Sequence, residues 1–156
     1  RKMAKLGLCA NFFSNHLWFW GDQHFEMTVG PERANQLEPC RSAIREGVSF
    51  SVHSDAGVTP LGSLHTMWCA VNRKTPSGRI LGEHEKITPA EALKAVTIDA
   101  AYQLHLDHEI GSLEAGKQAD IAILDADPLA VDPMSIKDIG VWGTFLGGIK
   151  HEAAAA

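Results

Sequence analysis

The sequence predicts an α/β chain in which two strand-plus-helix units precede a smaller layer of β-strands. Three observations carry this expectation. Residues 8–14 form a mostly apolar run without a helical period, which suits a strand covered on both faces in a parallel sheet. Val48, Phe50 and Val52 alternate with Ser49, Ser51 and His53, the period expected of a second strand. After Gly111 the chain breaks into short β-like runs, residues 119–124, 139–146 and 149–150, with Gly147-Gly148 fitting the turn of a hairpin. A module boundary near residue 109 follows. Residues 1–108 alternate strands and helices, residues 109–150 read as strands of a small β layer, and residues 151–156 read as a disordered or artificial tail.

Taken in order, residues 1–6 suit a helix that Gly7 ends, and the first strand comes next. It runs into residues 15–22, where Trp18, Phe19 and Trp20 crowd what reads as a loop. Residues 31–46 offer helical turns interrupted by Pro39, and Gly47 leads into the second strand, expected to end close to Asp55. Gly57, Pro60 and Gly62 punctuate the loop behind it; residues 63–73 then place Leu64, Met67, Trp68 and Val71 on one side of a helix. Thr88-Pro89-Ala90-Glu91 is a capping box with proline in the first helical position. The helix it opens carries Ala92, Leu93, Val96, Ala100, Ala101 and Leu104 on one face and extends to about residue 104.

With 156 residues, 45% hydrophobic and 21% charged, the composition is that of an ordinary globular domain. No run approaches the roughly 18 apolar residues of a membrane span, and the net charge of −5 without a basic cluster disfavours nucleic acid. Cys9, Cys40 and Cys69 are widely spaced and odd in number, so neither a disulfide framework nor a thiolate zinc site is expected, and a reducing, cytoplasmic setting is the better fit. Both ends look cut, which suggests a piece of a longer protein. Nucleophile-elbow, dinucleotide-binding and P-loop signatures are all absent from the sequence.

His53-Ser54-Asp55 is the segment with the strongest chemical claim. If the second strand reaches Asp55, His53 and Asp55 project from one face at its carboxyl end, where ligands bind in parallel α/β architectures. An Asp there can ligate a divalent metal or take a proton from a metal-bound water, although a strand-end Asp also serves as a cap or turn former. His16 follows the first strand at the same end and can open toward the same cleft. Trp18, Phe19 and Trp20 can wall an apolar pocket with Asp22 as a polar anchor, or fold into a small core of their own. His65 lies on the helix behind the Asp55 loop, within reach of that site. His105 and His108 have the spacing of a metal pair, or simply favour a helix end.

The segments Asn15-His16 through Trp20-Gly21-Asp22, Gly30-Pro31-Glu32-Arg33-Ala34, His53-Ser54-Asp55-Ala56, Ala70-Val71-Asn72-Arg73, Ile87-Thr88-Pro89-Ala90-Glu91-Ala92-Leu93 and Ala100-Ala101-Tyr102 belong together with a further string. That string, Gly111-Ser112-Leu113-Glu114-Ala115-Gly116-Lys117-Gln118-Ala119-Asp120, is the most specific of them. Together they resemble the carboxyl-terminal part of the amidohydrolase superfamily, closest to amidohydrolase family 3, the YtcJ-like metal-dependent hydrolases. The resemblance implies an α/β fold: the last two strand-helix units of a TIM barrel, a distorted (β/α)₈ barrel, followed by strands of a small composite β-sandwich. It implies that Asp55 binds the catalytic divalent metal, Zn²⁺ being the ion expected, and acts as general base. His16, Trp20 and His53 are then candidate substrate contacts.

The implied reaction is hydrolysis of a C–N bond in a small amide-type substrate, with neither nucleic acid nor membrane as partner. The family's His-x-His pair is absent, so the remaining ligands lie outside this chain and the chain alone is expected to be inactive. Alone, it would expose apolar faces and aggregate or form a homo-oligomer. Two alternatives stay open: deamination of a nucleobase-like ring, and a non-catalytic binding or regulatory module that keeps the fold.

Overall fold

A computed structural model of the chain describes residues 1–152. After a short helix α1 (Lys2–Lys5), strand β1 (Ala10–Phe12) leads into helix α2 (Asn15–Gln23), which widens into a single π-helical turn, His24–Thr28. Helices α3 (Gly30–Ala34) and α4 (Cys40–Glu46) return the chain to strand β2 (Phe50–Val52), which pairs parallel with β1 in the register Ala10 to Phe50, Asn11 to Ser51 and Phe12 to Val52. Helices α5 (Ser63–Asn72), α6 (Pro89–Val96) and α7 (Ile98–Gln103) follow. The chain then forms an antiparallel sheet of β3 (Ile121–Leu124), β4 (Val141–Leu146) and β5 (Ile149–Glu152), with a 3₁₀ segment at Pro133–Asp138 between β3 and β4. None of the described helices is long and apolar enough to cross a membrane.

The main core lies on β2. Phe50 and Val52 pack with Met67, Trp68 and Val71 of α5 and with Ala92 and Ala95 of α6, all buried. The 3₁₀ segment closes the far side: Ile136 is fully buried, Trp68 Nε1 donates to the Met134 carbonyl at 2.9 Å and Asn72 Nδ2 to the Pro133 carbonyl at 2.9 Å. Polar pairs between segments distant in sequence hold the outer helices and loops. Glu85 accepts the Ser42 amide at 2.8 Å and so caps α4 from a distant loop, while the fully buried Arg73 donates to the carbonyls of Leu81, Glu38 and Leu37 at 2.6, 2.9 and 2.5 Å.

Three expectations need correction. The aromatic segment 15–22 is a helix, not a loop. Leu17 and Gly21, one turn apart, form its packed stripe, and Gly21 sits so close to Leu81 and Thr75 that an added Cβ would lie 2.7 Å from Leu81 Cδ1. The helix opened by the Thr88 capping box, which forms as expected, does not run to residue 104. At Thr97 (φ −124°, ψ −98°) the backbone leaves the helix and α7 starts afresh, with the Thr97 hydroxyl donating to the Leu93 carbonyl at 2.7 Å. The β1 run is shorter than expected, Ala10–Phe12, and is not covered on both faces, since Asn11 is exposed; along its edges it pairs with β2 only among the described residues.

The hairpin turn at Gly147-Gly148 forms, both residues having positive φ (55° and 81°), as a tight two-residue turn requires. Within the tail expected from residue 151, His151 and Glu152 extend β5 opposite Thr144 and Gly143; residues 153–156 lie outside the described residues.

Candidate active site

The parallel pairing brings two chain segments to one end of the β1–β2 pair. Beyond the paired residues, the His53 amide still donates to the Phe12 carbonyl at 2.9 Å, so the chain leaves β2 alongside the end of β1. Phe13, the next residue, organises the aromatic groups there. His16 stacks on it at 5.2 Å and His53 at 5.3 Å between ring centroids, and Trp20 meets it at 6.0 Å while presenting an edge to His16 at 5.4 Å. His16, Trp20 and His53 therefore share one aromatic cluster. Trp18 does not belong to it. On a helix, Trp18 and Trp20 diverge, and Trp18 packs instead against Trp68 (5.2 Å) and His65 (6.2 Å).

Asp55 reaches this end by a route the alternation did not predict. The strand stops at Val52, so His53 and Asp55 are not projected by a pleat. Asp55 sits in the left-handed region (φ 52°) and is exposed, and its backbone amide donates to His53 Nδ1 at 3.1 Å. An amide can only donate, so Nδ1 carries the lone pair and neutral His53 presents its N–H from Nε2. Among the described residues, no hydrogen bond or ion pair occupies the Asp55 carboxylate. A recess of about 180 Å³ beside His53 and Ser54 is bordered by Leu61, Thr66 and Val96.

Two residues that sequence reasoning did not single out stand against His16. His24 Nε2 lies 2.8 Å from His16 Nε2, and its Nδ1 meets the Thr28 hydroxyl at 2.5 Å. Glu38 Oε1 lies 3.8 Å from His16 Nδ1. Burial, and then the proximity of His24, hold His16 below the usual histidine value, which keeps the ring neutral near pH 7. Burial pushes the Glu38 carboxyl up against the opposing pull of Arg73 and of the Phe13 amide. Neither contact had a sequence signal: His24 arrives through the π-helical turn, and Glu38 through a positive φ of 48° just before Pro39.

Other candidates resolve as structural. Asp22 is not a pocket anchor; it accepts from the hydroxyls of Thr75 (2.8 Å) and Ser77 (2.6 Å) and from Arg79 (2.7 Å), and so clamps the turn at residues 75–79. Burial alone would raise its carboxyl, but Ser77, Thr75 and Arg79 together hold it low. His65 is packed between Trp18 and Trp68, on which it stacks at 5.8 Å. His105 takes the left-handed position just after α7 (φ 59°), at the helix end, whereas His108 lies in the turn beyond it, 3.2 Å from Glu109. Burial pushes the thiols of Cys40 and Cys69 up, that of Cys40 to about 12, as expected of inert thiols. Among the described residues no group of three or more His, Cys, Asp or Glu side chains can hold a metal ion.

A family model described as the amidohydrolase family matches residues 1–149. The chain belongs to that family. It is 33% identical over 150 residues to an N-substituted formamide deformylase from Arthrobacter pascens, covering 96% of this chain and 28% of that protein. Among solved structures, it resembles an uncharacterized metal-dependent hydrolase from Pyrococcus horikoshii (TM-score 0.68, 24% identity, 83% of this chain and 26% of that one). It also resembles an adenosine deaminase from Xanthomonas campestris with bound zinc (TM-score 0.58, 20% identity, 83% of this chain and 30% of that one). At these identities the two structures show a shared fold. The chain spans between a quarter and a third of the length of these proteins.

Proposed function

We propose that this chain supplies the last two strand-plus-helix units of a (β/α)₈ barrel, within residues 1–108, and strands of a composite β-sandwich, within residues 109–150, of a metal-dependent amidohydrolase. The observation that supports the proposal is the stacking of His16 and His53 on Phe13 at the end of a parallel strand pair, with the Asp55 backbone amide on His53, in a chain that matches the amidohydrolase family over residues 1–149. In barrels of this kind chemistry sits at the carboxyl end of the strands. The reaction we assign is hydrolysis of a C–N bond in a small amide-type substrate, a class that includes the N-substituted formamides named for the Arthrobacter relative.

Asp55 is the general base: its exposed carboxylate is free to take a proton from the attacking water. The same free carboxylate fits one ligand of a divalent-metal centre, Zn²⁺ by preference, but the described residues make no centre by themselves, so the other ligands come from outside this chain. When bound, such a metal supplies a water acidic enough to ionise near neutral pH. His53 offers its Nε2–H to a substrate oxygen, whereas His16, whose Nε2 meets His24 and whose Nδ1 faces Glu38, borders the same space through its ring. Trp20 and Phe13, tilted 56° to one another, form an apolar corner that can also take the edge of a ring substrate; deamination of a nucleobase-like ring is the second reading.

The deciding experiment uses the full-length, metal-loaded protein. Asp55→Ala is expected to abolish turnover of N-formyl and related amides and to lower metal content, with the thermal midpoint retained. Wild-type turnover in that variant removes Asp55 from the mechanism, and turnover of aromatic amino-purines in preference to amides selects the deaminase reading.

A further inference from the structure

We propose that Asn15 and Thr59 are positioning residues for Asp55, acting through a hydrogen-bond relay from the end of β1 to the carbonyl that precedes the general base. The inference rests on the assignment of Asp55 made above. Asp55 lies three residues beyond β2 in a left-handed backbone conformation that costs free energy for any residue with a side chain, and residues 55–58 are exposed. Its own strand therefore does not fix it. What holds it comes from below.

The Val58 and Thr59 amides both donate to the Asp55 carbonyl, at 2.8 and 3.2 Å, so Asp55 and Thr59 move as one turn. Thr59 is buried and its hydroxyl donates to the Ser54 carbonyl. That hydroxyl has one proton, so its remaining contact must come from a donor, and Asn15 Nδ2 supplies it at 2.9 Å. The direction of the relay is thereby set: Asn15 N–H to Thr59 O–H to Ser54 C=O. Asn15 opens α2, beside His16, and its neighbour Ser14 donates to the Thr66 carbonyl of α5 at 2.9 Å. The segment that carries His16 and the turn that carries Asp55 are thus built on one another.

Asn15 itself shows that position, rather than stability, is what this arrangement secures. Its side chain is fully buried, and Oδ1 is the one buried side-chain polar atom among the described residues without a partner. An apolar residue of similar size would avoid that orphan, so the amide is there for its donor. This is the pattern expected where a local rule is broken for a site.

The test compares Thr59→Val, Thr59→Ser, Asn15→Asp and Asp55→Ala in the full-length protein. It reads kcat and KM on an N-formyl amide, zinc affinity by chelator competition, and hydrogen exchange of the Val58 and Thr59 amides. Thr59→Val removes only the hydroxyl, and Asn15→Asp keeps the volume but draws the Thr59 hydroxyl away from Ser54 to the new carboxylate. Both are expected to lower kcat and zinc affinity about tenfold to a hundredfold, with KM little changed and both amides exchanging faster, while Thr59→Ser restores wild-type behaviour. Wild-type kcat and zinc affinity in Thr59→Val or Asn15→Asp, with Asp55→Ala inactive, overturns the relay and leaves the site assignment standing. Equal damage from Thr59→Ser and Thr59→Val shows that bulk matters rather than the hydroxyl, and also overturns it. An active Asp55→Ala overturns the site assignment instead. If Thr59→Val fails to fold, Asn15→Asp and Thr59→Ser decide.

Discussion

The helical layer around β2 and the sheet β3–β4–β5 are both rich in large apolar side chains, yet they treat them differently. Phe50 and Val52 are each 6% exposed and Trp68 1%, whereas Trp142, Leu146 and Ile149 stand 53%, 63% and 68% exposed. The first region is covered by its own helices and by the 3₁₀ segment that hooks onto α5. The second has a hairpin and a register, but little against its faces. A strand pattern states that a face is suited to burial; it does not state which segment covers it.

The largest effect is therefore expected in the first region. In the full-length protein, Trp68→Ala removes a buried indole that also donates to Met134, and should cost about 3–5 kcal/mol by denaturant unfolding. A cost near that of a surface substitution would mean that the core on β2 is not a cooperative unit. The same substitution at Trp142 breaks or sharpens the contrast. Its indole is half exposed here and carries Lys150 Nζ 4.4 Å from the ring centroid. If the composite sandwich proposed above covers this sheet, Trp142→Ala in the full-length protein should cost about 2–3 kcal/mol. A change within about 0.5 kcal/mol, ordinary for surface positions, would leave the face open and count against the sandwich.

The same division governs what could be read from the sequence. The Thr88 capping box and the Gly147-Gly148 hairpin are local devices, and each was legible in a few adjacent residues. The two strands were legible, the first as an apolar run and the second from its alternation, but the second stops at Val52, so the left-handed turn that carries Asp55 was not. Helix α2 was not, because Trp18, Phe19 and Trp20 are consecutive and mask the narrow Leu17 and Gly21 stripe that packs it. The break at Thr97 was hidden because the apolar spacing continues through it. His24, Glu38, Asn15 and Thr59 meet their partners only through a π-helical turn, a positive φ or a contact across forty or more residues, none of which leaves a periodic trace.

The smallest expected effect is a pH slope that belongs to the helical layer. Burial holds both His16 and His65 below the usual histidine value of 6.5, aided by His24 in one case and by Lys137 in the other. A lowered folded value means that unfolding takes up protons, so the stability these rings confer is complete above the unfolded value and is lost as pH falls through about 6.5 toward the folded values. Glu38 runs the other way. Its raised carboxyl contributes stability below the unfolded value of 4.5 that is lost as pH rises through its folded value, so it opposes the histidine slope. The denaturant midpoint should accordingly fall between about pH 7.5 and about pH 5.5, and His65→Phe, which keeps an aromatic ring between Trp18 and Trp68, should flatten that fall. A midpoint that stays level or rises over this range would show that the two rings are solvated in the folded protein. The packing of α2 against α5 would then be looser than the burial of Trp68 requires.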